Sequence, residues 1–289
     1  MIEKKFVLSK LIEIKNSVIQ EKPLIHCITN HITINDCANV VLAVGGKPIM
    51  AEHCDEVSGI TASAKSLAVN LGNISDNRMK SIMISGIRAR EEGIPSIIDI
   101  VGVSCSKLRL GFALEFIDRC KPSVIKGNMS EIKAIYGLNT RSKGVDVSEE
   151  DVTTEDTIKN NIDIVRELAI KTNSVVVASG AIDIVSDGNE TYIIENGCEE
   201  LSKITGTGCM LNVLIATCIS TKDIINGSIL GTVIMGVSGE FSRNARGTGS
   251  FKIELLDNIS EKFKNASKFF NNANMAISFN GRDLSSEEE

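Results

Sequence analysis

The chain has 289 residues, 43% of them apolar, enough for one large α/β domain with a substantial core. Its net charge of -6 provides no basic face to displace counterions from a phosphate backbone, which argues against nucleic acid as a partner. The N-terminus does not read as a signal peptide and the eight cysteines are scattered without a Cys-x-x-Cys, so a cytoplasmic protein with free thiols is expected.

In chain order, the opening segment MIEKKFVLSKLIEIKNSVIQEK mixes acids, lysines and apolar residues at helical spacing and predicts a helix. His26, His31 and His53 follow, with Cys27 and Cys54 beside two of them. Their spacings match no usual zinc pattern, so packing or substrate contact is the expected role. Gly45-Gly46-Lys47-Pro48 superficially resembles a phosphate-binding Walker loop. It lacks the first glycine, and proline stands where the Mg²⁺-binding Ser or Thr belongs.

SLAVN, SIIDI, SVIK and SVVVAS are short apolar runs separated by helix-length amphipathic stretches. That alternation predicts a mostly parallel central sheet flanked by helices on both faces. IDIVSDGNETYIIEN reads as two strands joined by a turn at Asp187, Gly188 and Asn189, an antiparallel hairpin at one edge of the sheet. The longest uncharged stretch, Ile204 to Thr221, carries Gly, Thr and Asn and predicts a buried core helix; no membrane contact is expected. Residues 1–279 are expected to form a single domain, followed by a polar, acidic tail over 280–289.

Polar residues and glycines cluster just after the predicted strands: Asn70-Leu71-Gly72, Asp99, Lys126-Gly127-Asn128 and Ser179-Gly180. In open α/β sheets, ligands bind outside the carboxyl ends of the strands, so these loops should converge on one site. Ile204-Thr205-Gly206-Thr207-Gly208-Cys209 opens the long apolar helix. Its glycines allow close backbone approach, and a helix start offers free N–H groups to an anion such as a phosphate.

Cys209 at that helix start can have a thiol pKa lowered by the dipole and act on a substrate hydroxyl, or can pack as a small hydrophobe. Asn128 and Glu131 are spaced as a capping box and also suit a site. Glu131 near Asp99 would give Mg²⁺ a second carboxylate, and Lys126 can hold a phosphate as a point charge.

Taken in order, HCITNHITINDCANVVLAVGGKPIMAEHCDEV, IIDIVGV, VIKGNMSEI, ITGTGC and ARGTGSFKIELLD resemble the successive signatures of the hydroxyethylthiazole kinases, across most of the chain. These are α/β proteins of the ribokinase-like superfamily. The resemblance implies ATP- and Mg²⁺-dependent phosphorylation of 4-methyl-5-(2-hydroxyethyl)thiazole, in thiamine salvage. It places Met50 and Gly206 against the thiazole with Asn30 in the same pocket. Lys126 and Ser179 would contact ATP, with Asn128 and Thr205 on the same side, and Asp99 and Glu131 would serve the metal and phosphates. Cys209 would lie at the transferring hydroxyl, and Gly206 and Gly208 would stabilise charge at the reacting oxygens. The family also implies a homotrimer with the thiazole pocket at the subunit boundary.

Two positions depart from the family pattern. Ile100 replaces the proline usual after Asp99, and Lys126 stands where Arg is common, which removes a bidentate phosphate contact and implies weaker ATP binding. A kinase for another small alcohol, such as a hydroxymethylpyrimidine, and a non-catalytic thiazole or nucleotide sensor are the competing readings.

Overall fold

The computed structural model describes residues 2–138, 155–265 and 277–279; the 280–289 tail lies outside them. The N-terminal helix α1 (Ile2–Glu21) leads into strand β1 (Leu24–Ile28), helix α2 (Ile34–Ala43), the short strand β2 (Lys47–Ile49) and helix α3 (Val57–Ser63). Strands and helices then alternate: β3 (Ser66–Asn70), α4 (Asp76–Glu91), β4 (Ser96–Asp99), α5 (Lys107–Cys120), β5 (Val124–Asn128), α6 (Met129–Tyr136), α7 (Glu155–Thr172) and β6 (Val175–Ser179). A hairpin of β7 (Asp183–Ser186) and β8 (Thr191–Ile194) precedes the long helices α8 (Thr207–Ile219), α9 (Ile224–Ser242) and α10 (Thr248–Lys264); β9 (Ile277–Phe279) follows them.

The nine strands of the described residues form one sheet in the order β2-β1-β3-β4-β5-β6-β7-β8-β9. The run from β2 to β6 is parallel and the pairs from β6 to β9 are antiparallel. The expected mostly parallel sheet and its antiparallel hairpin are therefore both present. β9 adds an outer strand that the sequence did not reveal, so the hairpin is next to the edge.

Strand side chains alternate between two cores, the consequence of a period of two. Ala68, Ile97 and Val124 join α1, α2, α8, α9 and α10 on one face. Leu67, Val69, Ile98 and Ile125 join α3 to α7 on the other. With both faces covered, β3 is buried at every position, which explains its unbroken apolar sequence.

All of α8 from Cys209 to Ile219 is buried, as the uncharged stretch predicted. By length and composition α9 alone among the described helices passes for a membrane span, but 72% of that window is buried within the chain, against the same core as α8. All eight cysteines are free. The Gly45-Gly46 turn leads into Lys47 at the amino end of β2, on the opposite side of the parallel sheet from the carboxyl-end loops, which removes any phosphate-loop role for it.

Candidate active site

The parallel register brings the predicted polar residues together. Asn70 is level with Asp99, Asp99 with Lys126, and Asn128 with Ser179, so four adjacent strands end in one polar row. Lys126 Nζ donates to Asp99 Oδ2 at 2.9 Å, and Asn70 Nδ2 donates to the same oxygen at 2.9 Å. Asn70 Nδ2 also lies 3.5 Å from Cys209 Sγ, which ties the strand ends to the head of α8.

These groups are buried, and their electrostatics follow from that. Burial pushes the Asp99 carboxyl up, opposed by Lys126 and Asn70. Burial alone would lower the Lys126 ammonium, but the Asp99 carboxylate beside it holds it above its ordinary value. Glu131 is pushed up to about 7, by burial first and by the charge of Asp99 second, against the N–H groups of Gly102 and Asn128.

The Cys209 thiol is pushed up by burial and then by Asp99. This corrects the option of a lowered thiol pKa: desolvation and a neighbouring carboxylate outweigh Thr33, Lys126 and Asn70, which act the other way. Asp183 at the base of the hairpin is likewise raised to about 7 by burial, with the Gly180 N–H opposing.

Both readings of the Asn128–Glu131 pair hold. Asn128 Oδ1 accepts from the Glu131 N–H at 2.9 Å and Glu131 Oε2 accepts from the Asn128 N–H at 2.8 Å, a complete capping box on α6. Glu131 Oε1 meanwhile accepts from the Gly102 N–H at 2.6 Å, which fastens the loop after β4 to the same carboxylate. Ile100 is fully buried, and Gly102 in the same loop has φ of +81°.

Gly206 precedes α8 with φ of +99°, and no side chain caps the helix start. A Cβ there would collide with Thr33 Cγ2, so the position requires glycine on two grounds. A Cβ on Gly208 would stand 3.5 Å from Lys126 Nζ, so the ammonium faces the same first turn of α8. That turn, the ammonium and the two acids form a place for an anion bridged to a cation. Two buried carboxylates, Glu131 raised by burial first and by the charge of Asp99 second, are a donor set that suits Mg²⁺ together with phosphate oxygens and retained waters.

Ser179 is half-buried and its hydroxyl donates to Gly127 O at 3.3 Å; Thr205 is exposed on the approach to the loop. Asn30 and Met50 are both half-buried, on loops following β1 and β2 at the same end of the sheet. Asn30 Oδ1 accepts from Asn73 Nδ2 at 2.9 Å, and Met50 packs against the α8 core.

The histidines do not gather on a metal. His26 is buried, donating from Nε2 to Ala51 O at 2.9 Å with Thr61 at Nδ1, and His31 Nε2 lies 2.9 Å from both carboxylate oxygens of Glu52. Among the described residues, the one group of three or more His, Cys, Asp or Glu with metal-ligating atoms close together is His53, Cys54 and Asp55, consecutive residues of a mostly exposed turn.

Asn70, named above among the strand-end residues, is joined in the site's framework by Thr33, Arg78 and Asp183, which the sequence does not single out. Asn70 and Asp183 carried a signal, a polar residue at the end of one apolar strand and an acid in another. Arg78 and Thr33 carried none.

A mostly parallel sheet flanked by helices, with a polar row at its carboxyl ends and a glycine-led helix start, defines the class as an α/β protein with the fold of the solved ribokinase-like superfamily protein from Enterococcus faecalis V583, at a TM-score of 0.58 and 12% identity. The family model for the hydroxyethylthiazole kinase family matches residues 15–265, and the chain belongs to that family.

It is 58% identical over 247 residues to hydroxyethylthiazole kinase 2 of Clostridium botulinum strain Hall, covering 86% of this chain and 93% of the relative. It is 41% identical over 268 residues to hydroxyethylthiazole kinase of Methanobrevibacter smithii, covering 89% and 93%. The solved hydroxyethylthiazole kinase protein from Pyrococcus horikoshii OT3 superposes with a TM-score of 0.83 at 28% identity, covering 94% of this chain and 99% of that one.

Proposed function

We propose that the chain phosphorylates the hydroxyethyl group of 4-methyl-5-(2-hydroxyethyl)thiazole with ATP, giving the thiazole phosphate and ADP for thiamine salvage. The observation that carries this reading is the Lys126 ammonium, paired with Asp99 and facing the first turn of α8, in a chain of the hydroxyethylthiazole kinase family. The alcohol oxygen forms a bond to the γ-phosphorus as the bond to the β–γ bridging oxygen breaks, so that ADP leaves with the bridging oxygen and the hydroxyl proton is released. Phosphoryl transfer of this kind depends on positioning and charge stabilisation more than on covalent help.

The roles divide by geometry. Met50, Asn30 and Gly206 take the thiazole side; Lys126, Ser179, Asn128 and Thr205 take the nucleotide side. The first turn of α8 from Gly206 through Gly208 to Cys209 meets charge on the transferring group, because its N–H groups have no intrahelical acceptors. Asp99 and Glu131 are the residues that would hold Mg²⁺, which when bound supplies positive charge to the phosphate oxygens. Cys209 contributes shape and a weak hydrogen bond beside the hydroxyl.

The assembly is a cytoplasmic homotrimer with the thiazole pocket at the subunit boundary. In support, Ile32, two residues beyond Asn30, is 66% exposed in the single chain, an apolar side chain for a neighbouring subunit to cover.

The test is ADP release from purified protein with ATP and Mg²⁺, with and without the thiazole alcohol, and with hydroxymethylpyrimidine in parallel. Thiazole-dependent release is expected. Release only with the pyrimidine would reassign the substrate, and thiazole binding without any release would leave a sensor.

A further inference from the structure

Arg78 is an arginine on α4 that is only 2% exposed and is among the largest fully buried side chains. Burying a charge carries a desolvation cost comparable to the gain from its partners, and an apolar side chain of similar size would usually pack as well. Its partners show what the charge is used for. Nη1 donates to Gly72 O at 2.6 Å and Asn73 O at 2.8 Å; Nη2 donates to Thr29 O at 2.7 Å and Asn70 O at 3.3 Å. All four carbonyls lie at the carboxyl ends of β1 and β3, in the segments that carry Asn30 and Asn70.

Two further links run from this guanidinium into the acceptor pocket. Asn73, held in the left-handed region at φ of +50°, donates from its side chain to Asn30 Oδ1 at 2.9 Å. Arg78 Nε stands 3.5 Å from Glu52 Oε2, and Glu52 holds His31 through both carboxylate oxygens. Glu52 lies two residues past Met50, and its carbonyl accepts from Ser81 of α4 at 2.7 Å.

We propose that Arg78 is the positioning residue of the acceptor pocket: its guanidinium locks the loops after β1 and β3 together and, through Asn73 and Glu52, sets Asn30 and the Met50 segment for the alcohol. The proposal rests on the kinase reading above. It bears first on the acceptor side: Arg78 makes no hydrogen bond to Lys126, Ser179, Asn128 or Thr205, and its one link toward Asp99 runs through the backbone carbonyl of Asn70 at 3.3 Å. A planar fork with five donors can span both loops, and an ammonium cannot.

The experiment measures KM for the thiazole alcohol and for ATP, and thiazole-alcohol affinity by calorimetry, in wild type, Arg78→Lys, Arg78→Ala and Glu52→Gln, with thermal unfolding alongside. Arg78→Lys should raise the thiazole KM about tenfold and weaken thiazole binding to match, with the ATP KM within about twofold of wild type. Glu52→Gln, at the half-exposed end of the network, should shift the thiazole KM in the same direction by about threefold. Added guanidinium should restore thiazole affinity to Arg78→Ala.

Equal shifts in both KM values would overturn the proposal in favour of a merely structural arginine, as would unchanged thiazole binding in a folded Arg78→Lys protein. If Arg78→Ala does not fold, Arg78→Lys and Glu52→Gln decide the matter. A wild-type protein that neither binds nor turns over the thiazole would sink the kinase reading itself.

Discussion

Lys126 and Asp99 form a buried ion pair, 2.9 Å apart with both side chains 4% exposed, at the centre of the polar row that ends the parallel strands. Removing one partner of such a pair leaves the other charge desolvated and costs about 3–5 kcal/mol. Lys126→Met should therefore lose stability by about that much near pH 8, and less in acid, where the raised Asp99 carboxyl can take up a proton. Asp99→Asn/Lys126→Met should recover most of the stability and none of the ADP release. Denaturant titrations set beside turnover check both halves; a double variant no more stable than Lys126→Met would show that the pair is not the source of the loss.

Gly206 is constrained by its φ of +99° and by Thr33. An L-residue in that left-handed conformation costs about 1–2 kcal/mol, and the collision with Thr33 Cγ2 adds to it. Gly206→Val should keep the fold, since the loop is only half-buried, and lower kcat about a hundredfold or more by displacing the first turn of α8. Thr33→Ser removes the colliding methyl, so Gly206→Ala/Thr33→Ser should recover part of the activity lost in Gly206→Ala. Wild-type rates in Gly206→Val would remove the anion-binding role from this loop.

The division between legible and hidden parts follows from what each residue needs around it. β3 to β6 are readable because a strand covered on both faces must be apolar along its length, and the site follows from the polar residues at their ends. β1 contains His26, whose burial is permitted only by Thr61 and Ala51 from elsewhere in the chain, so its pattern is interrupted. β2 and β9 have three residues each, too few for a period to show. Arg78 reads as a solvated position on an amphipathic helix, and the four carbonyls that make its burial possible are brought to it only by the fold. The loop at Cys209 is recognisable, but the direction of its pKa shift depends first on burial and then on Asp99, far away in sequence, and the fold alone supplies both.

Glu131 makes the metal-free protein pH-sensitive in a defined direction. Its pKa is raised from 4.5 to about 7, so the folded state binds its proton more tightly than the unfolded chain does. The stabilising contribution is complete below about pH 4.5 and is lost as pH rises through about 7, at no more than about 1.4 kcal/mol per pH unit for this one group. Asp183, raised to about 7, acts in the same sense. Glu131→Gln should flatten part of that slope in urea titrations across this range. A cation competes with the proton, so half-saturating Mg²⁺ for ADP release should fall between about pH 6 and pH 8 in wild type. In Glu131→Gln the Mg²⁺ requirement should be higher and its pH dependence weaker. An unchanged Mg²⁺ titration would leave Glu131 as the cap of α6 alone.

Cys209 sits where a base for the substrate hydroxyl would be useful, yet its surroundings oppose the thiolate. It is 8% exposed, Asp99 is close enough to raise its pKa further, and Lys126, which would favour the anion, is already paired. At neutral pH the group is a thiol. It lies in the first turn of α8, as a small polarisable side chain. A general base typically contributes about 10²–10⁴ in rate, so Cys209→Ala separates the two roles cleanly. We expect kcat to fall by less than about tenfold, with the pH profile of kcat unchanged, because no group that titrates in the working range has been removed. Alkylation should agree: iodoacetamide should modify the exposed Cys105 well before Cys209, and mass spectrometry of a time course would show the order. A loss near a thousandfold in Cys209→Ala, with a limb of the pH profile gone, would mean that bound substrate reverses the shift and makes Cys209 the proton acceptor.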